Sequence, residues 1–176
     1  DGNNSEGRAI SVAPGLLNGG QSEFTVSLWW LTTDLTRSQA GILNTDPHPG
    51  FGLGIVPFSS TLCELGYHIG NGTHGWWSEW RTGGRYEANT WYHLVLLKQG
   101  TQYRLYMDGV NTDVFNLPES AGYDFAIGSI LLGSPSPATF PHANFQGALD
   151  DGRIYNRALA ASEVAQLSAL EATPPP

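Results

Sequence analysis

The sequence predicts an all-β domain built as two antiparallel sheets packed face to face. Three observations carry that prediction. Gly (22) and Pro (11) are plentiful, charged residues make up only 14 %, and Met occurs once, a profile of many turns rather than of a helical bundle. Stretches such as 24–31, FTVSLWWL, place Phe24, Val26, Leu28 and Trp30 on one face and Thr25, Ser27, Trp29 and Leu31 on the other, so both faces carry bulk. No internal repeat, heptad pattern or long amphipathic helix competes with this reading.

Taken in order, residues 1–7 (DGNNSEG) are polar, and 9–12 (AISV) form a short strand ended by Pro14-Gly15. After the strand at 24–31, two short strands are expected at 40–44 (AGILN) and 51–56 (FGLGIV), separated by the turn Asp46-Pro47-His48-Pro49-Gly50. The most aromatic part, 62–85, is expected to hold strands at 62–69 and 76–82 around the loop 70–75. Segment 91–97 (WYHLVLL) sets Trp91, His93, Val95 and Leu97 opposite Tyr92, Leu94 and Leu96. Residues 103–108 run back from a turn at 98–101, and Asp108-Gly109 makes a tight hairpin into Val110. Strands at 126–133 and 148–155 close the sandwich, and helix is confined to about 161–170.

On 148–155, simple alternation puts Leu149, Asp151, Arg153 and Tyr155 on one face and Asp150, Gly152 and Ile154 on the other. The closing TPPP (173–176) reads as a stiff linker between modules or as a frayed end, leaving 1–172 as one domain.

A formal charge of −8 excludes a nucleic-acid partner, since nothing here neutralises a phosphate backbone, and no basic face suits a membrane surface. Cys63 is the only cysteine, so no internal disulfide staples the domain. No apolar run approaches the ~18 residues of a membrane span and no signal peptide is present, so Asp1 is expected to begin a mature chain or an excised module.

The closing stretch FQGALDDGRIYNRAL (145–159) resembles the last strand of the laminin-G-like, concanavalin A-type jelly rolls. FTVSLWW and WYHLVLL…YRLYMDG are similar to two further motifs of that family, in the same order, so the resemblance covers roughly residues 7–170. It implies an antiparallel jelly roll, secreted or at a cell surface, with His93 in a structural position. Where that family usually has a Ser capping the short helix, this chain has Ala160, so the helix start is expected to fray.

Catalytic members of that fold set two carboxylates ~5 Å apart on one strand face. None of the eight Glu residues sits in such a pattern; Glu64 and Glu79 each stand alone in their expected strands. No nucleophile elbow is present, and His68 and His74, six apart, lack zinc spacing. The resemblance implies a structural calcium, with Asp150 as ligand, joining the closing strand to the N-terminal region. The second calcium site of the pentraxin kind is not expected, because residues 134–137 read SPSP.

The remaining distinctive group is aromatic. Tyr67, Trp76, Trp77 and Trp80 offer rings on which sugar C–H faces stack, and Asn71, His74, Glu79 and Arg81 offer polar partners for hydroxyls. The same tryptophans also suit a sandwich core. A carbohydrate-binding module or lectin domain, set beside other modules and binding a glycan or polysaccharide, is the expected function. A protein-binding adhesion module using rim loops, and a hydrolase or lyase without a familiar signature, stay open beside it.

Overall fold

The computed structural model describes residues 10–12, 23–36, 40–46, 51–70, 75–82, 84–116, 129–133 and 145–170. It contains twelve strands among these residues: β1 (Ile10–Val12), β2 (Glu23–Thr32), β3 (Ala40–Asp46), β4 (Phe51–Pro57), β5 (Leu62–Gly70), β6 (Gly75–Arg81), β7 (Tyr86–Glu87), β8 (Tyr92–Gln99), β9 (Gln102–Met107), β10 (Val110–Asn116), β11 (Ser129–Leu132) and β12 (Gly147–Tyr155). One helix, α1 (Ala161–Leu170), follows. All pairings are antiparallel. One sheet has the order β1-β11-β3-β4-β5-β6 with β7 also on β5, and the other the order β10-β9-β8-β2-β12. The two-sheet antiparallel jelly roll read from the sequence is what the chain forms. The two-residue strand β7 is the element that alternation does not reveal, since two residues carry no period.

The core lies between the sheets. Phe24, Val26, Leu28 and Trp30 of β2 meet Ile42, Leu53, Ile55 and Leu65 of the opposite sheet, with Leu94, Leu96 and Leu105 beside them. Each such side chain contributes about 1.5–3 kcal/mol by leaving water. The other face of β2 is also buried: Thr25, Ser27 and Trp29 are at most 6 % exposed. Thr25 ties β2 to the segment that follows β12 there. Its hydroxyl donates to the Arg157 carbonyl (2.8 Å) and accepts from the Leu159 amide (3.0 Å).

A ten-residue helix is marginal alone. Here Val164 and Leu167 pack on Val95, Leu97 and Tyr106, on the outer face of the five-stranded sheet. The expected fraying at Ala160 does not occur. Glu163 reaches back to accept from the Ala160 amide (2.8 Å), and Arg157 grips the same carboxylate with two hydrogen bonds (2.8 and 2.7 Å). These contacts hold the Glu163 carboxyl down to about 2, with Arg157 the larger cause and the Ala160 amide the second.

The hairpin at Asp108-Gly109 forms as expected, both residues having positive φ (49° and 79°). Asp108 also accepts from the His93 amide through Oδ1 (2.8 Å), which pins the start of β8.

Alternation fails on β12. The register jumps between Asp150, opposite Trp29, and Arg153, opposite Ser27. Asp151 takes up the extra residue in a left-handed conformation (φ 47°). The β-bulge resets the phase, so Leu149 and Ile154, five apart, both pack on the inter-sheet core, while Tyr155 joins the outer cluster under α1. Leu149 and Tyr155 therefore do not share a face, contrary to strict alternation. A second register shift lies in β10, between Asn111 and Asp113.

At Gly147 (φ 157°) a Cβ would overlap the Leu31 carbonyl. Gly147→Ala should cost on the order of 2–4 kcal/mol in denaturant unfolding, and an unchanged midpoint would refute the clash.

His93, fully buried, hydrogen-bonds Ser27 Oγ through Nε2 (2.8 Å) and tilts against Trp29 with ring centroids 5.2 Å apart. Burial lowers its pKa, opposed by Asp108, reinforced by Arg153 and opposed again by Asp151. The neutral ring is the folded form, so this contribution is full above the unfolded value near 6.5 and is lost as pH falls from there through the folded pKa. Melting temperature should drop between pH 7 and pH 5 more in the native protein than in His93→Gln; parallel curves would remove His93 as the cause.

Candidate functional site

The outer face of the seven-stranded sheet has an unusual floor. Gly41, Gly54 and Gly66 pair side by side across β3, β4 and β5, and the row ends at Arg81 of β6. The neighbouring row runs Asn44, Gly52, His68. With strands ~4.8 Å apart, three adjacent glycines remove side chains over ~10 Å transverse to the strands. At Gly66 the space is fixed by a neighbour: a Cβ would come within 2.7 Å of Val56 Cγ2.

β6 carries the aromatic group singled out in the sequence. Trp80 stands opposite Tyr67 and Trp76 opposite Ile69, with a register shift between the two pairs. Trp76, Trp77, Glu79, Trp80 and Arg81 all lie on β6 and are placed by this strand register. Asn71 and His74 lie outside the described residues.

Tyr67 is not placed as a stacking platform. Its ring is 8 % exposed and belongs to the inter-sheet core, because its position on β5 alternates in phase with Cys63 and Leu65. Burial, with Asp113 second, pushes its hydroxyl up to about 12.

Glu64 is not alone, as it stood in the sequence. Opposite Val56 in the register and largely buried, it lies 3.8 Å from Arg85 Nε. The Arg85 guanidinium in turn stacks 3.7 Å from the centroid of Phe58, a ring that is 43 % exposed. Neither Phe58 nor Arg85 was marked by any motif, since their meeting depends on β5 lying between β4 and β7.

Asp150 is exposed on the edge strand β12, and its Oδ1 accepts from the Asp151 amide (2.7 Å). Asp151 is engaged by Arg153 through two hydrogen bonds (3.0 and 2.8 Å). Among the described residues no three His, Cys, Asp or Glu side chains gather as a metal cluster, so any cation held at Asp150 would draw on main-chain oxygens. The bulge beside it fits that need, as it releases main-chain groups from the ladder.

The Ser27–His93 hydrogen bond unites a hydroxyl and an imidazole, but both are 1 % exposed or less. It is a polar bridge between β2 and β8 rather than a nucleophile and base open to substrate. Cys63 is buried too, and burial pushes its thiol up to about 11. Among the described residues no helix is long and apolar enough to cross a membrane.

Comparison with solved structures returns the same architecture. Domain 4 of AbnA, a GH43 extracellular arabinanase from Geobacillus stearothermophilus solved with arabinotriose, superposes with a TM-score of 0.65 at 22 % identity, over 91 % of this chain and 72 % of that one. A heptameric SAP-like pentraxin from Limulus polyphemus gives 0.64 at 17 %, over 88 % and 73 %. The binding domain of botulinum neurotoxin DC, solved with rat synaptotagmin II, gives 0.60 at 14 %, over 87 % and 37 %. At these identities the likeness is one of fold. No curated protein matches the sequence. A family profile matches residues 3–165, and the chain belongs to the concanavalin A-like lectin/glucanase superfamily.

Proposed function

We propose that this domain is a non-catalytic, extracellular carbohydrate-binding module that holds a glycan on the outer face of its seven-stranded sheet. The observation that carries the reading is the register that sets the glycine row of β3, β4 and β5 against Arg81 of β6; Trp80 stands opposite the core residue Tyr67 and Trp76 opposite Ile69, which leaves Trp77 as the β6 ring assigned to the sugar. The glycine row lowers the sheet surface beside β6, with Val56 the side chain bordering Gly66, and an aromatic ring beside it offers a face for C–H stacking. Polar groups for the hydroxyls come from Asn71, His74, Glu79 and Arg81 in this proposal. The arabinanase domain solved with arabinotriose supports the ligand class, as a relative in fold.

A protein-binding role is the second reading. Val110, Val114 and Leu170 are 64 %, 46 % and 80 % exposed, an apolar set belonging to the other sheet and its helix. The neurotoxin domain solved with a protein partner supports it in the same limited way.

Calcium is part of the proposal. Asp150 supplies one carboxylate oxygen, and main-chain carbonyls supply others at ~2.3–2.6 Å. Calcium would steady the edge strand without taking part in sugar stacking.

Two experiments test these assignments. Native gels containing arabinan, xylan, mixed-linkage β-glucan or polygalacturonate should retard the protein in at least one case. Trp76→Ala, Trp77→Ala or Trp80→Ala should abolish retardation with little change in melting temperature for any ring that faces sugar. A tryptophan serving the core should instead cost ~3–5 kcal/mol of stability. Failure of every gel to retard the native protein would overturn the glycan reading. For the metal, calcium should raise the melting temperature of the native protein and leave Asp150→Asn unmoved. Equal shifts in both would remove Asp150 as a ligand.

A further inference from the structure

Phe58 is an aromatic ring left 43 % exposed, beside Val110, Val114 and Leu170 as the exposed large hydrophobics among the residues whose side chains are described. Its exposure is organised. The turn after β4 is closed by two amides, Phe58 and Ser59, that both donate to the Leu62 carbonyl (3.0 Å each). Ser59 Oγ accepts from the Thr61 and Leu62 amides (3.2 and 3.1 Å), which fills out the turn. The ring then stands beneath the guanidinium of Arg85, 3.7 Å from its centroid. Glu64, rooted in the sheet, steadies Arg85 from its Nε side at 3.8 Å. The Arg85 side chain is nonetheless 54 % exposed, and its terminal nitrogens make no hydrogen bond to the described residues.

We infer that the Phe58–Arg85 pair, steadied by Glu64, is a sugar contact for a neutral glycan. The inference rests on the glycan-binding reading and adds residues that reading does not include. Sugar recognition needs an apolar plane for the C–H face and planar, unsatisfied donors for neighbouring hydroxyls. An aromatic ring with a guanidinium fixed over it supplies both side by side. Because turn and stack are already formed, binding costs little ordering of side chains.

Position and charge narrow the ligand. Glu64 lies two residues from Gly66 on β5, about 7 Å along the strand, so a chain lying over the glycine row reaches the pair. Glu64 already balances the charge of Arg85, and a domain of formal charge −8 repels polyanions. A neutral chain with vicinal hydroxyls on Arg85 is the class that fits, and a polyuronate is disfavoured.

The test uses the full chain in gels containing arabinan, xylan or mixed-linkage β-glucan, with polygalacturonate as the acidic counterpart. Phe58→Ala and Arg85→Ala should each weaken retention by a neutral glycan roughly tenfold, with melting temperature nearly unchanged. Phe58→Tyr should retain binding, which separates loss of the ring from loss of the turn. Arg85→Lys should lose binding like Arg85→Ala, because a planar fork and not a charge is required. Leu170→Ala, on the helix of the other sheet, should leave retention unchanged. Native retention in both alanine variants, with loss in the β6 tryptophan variants, would overturn this contact and leave the glycan reading standing. No neutral glycan retained by the native protein would overturn both. Preference for polygalacturonate, abolished by Arg85→Lys or not, would overturn the assignment of a neutral ligand.

Discussion

Burial of both faces of β2 is the constraint on which the remaining structure depends. A strand in a sandwich needs only one dry face, yet β2 has Leu28 and Trp30 in the inter-sheet core and Thr25, Ser27 and Trp29 almost as dry on the other side. Polar groups buried on that second side must find partners. Thr25 finds them in the main chain after β12, and Ser27 finds one in His93 of β8. These bonds draw in the strands that flank β2 and set the point at which α1 begins. The helix then shields Val95, Leu97 and Tyr106, which would otherwise face water on the same side. The two outer faces thereby divide the work. The five-stranded one is covered in part by α1, over Val95, Leu97 and Tyr106, and the seven-stranded one carries the glycine row and the Phe58–Arg85 stack.

Much of this fold was legible in the sequence because it rests on period-two alternation. β2 and β8 alternate without interruption, and their inward and outward sets came out as read: Leu94 and Leu96 inward, His93, Val95 and Leu97 outward. The tight hairpin at Asp108-Gly109 was legible from residue chemistry alone. Alternation could not show the slip at Asp151, since a bulge changes phase without changing composition. The pair Asp151-Gly152 was its local sign, read instead as two ordinary strand positions. Ala160 misled for a related reason. A missing cap at one position is repaired by Glu163 three residues on and by Arg157 three before, a solution spread over residues that a one-position comparison does not weigh.

The site was less legible than the fold. Tyr67 was grouped with the tryptophans by nearness in sequence, but strand phase turns it into the core with Leu65. Phe58 and Glu64 are six residues apart, but Arg85 is distant from both and meets them only because β7 returns to pair with β5. Sequence proximity finds sites on a single loop or strand. It misses those assembled across the ladder.

The bulges at the two ends of the five-stranded sheet have a consequence for life in company. β10 and β12 are its edge strands, and both lose register, at 111–113 and at 150–153. An unbroken edge invites a strand from a neighbouring molecule, and the reward is a run of evenly spaced main-chain hydrogen bonds. A kinked edge offers only short, misaligned stretches, and at β12 the kink also presents Asp150 and Asp151 to any approaching chain. Crowded copies of this domain are thus discouraged from zipping together into aggregates by the irregularity that obscured their last strand.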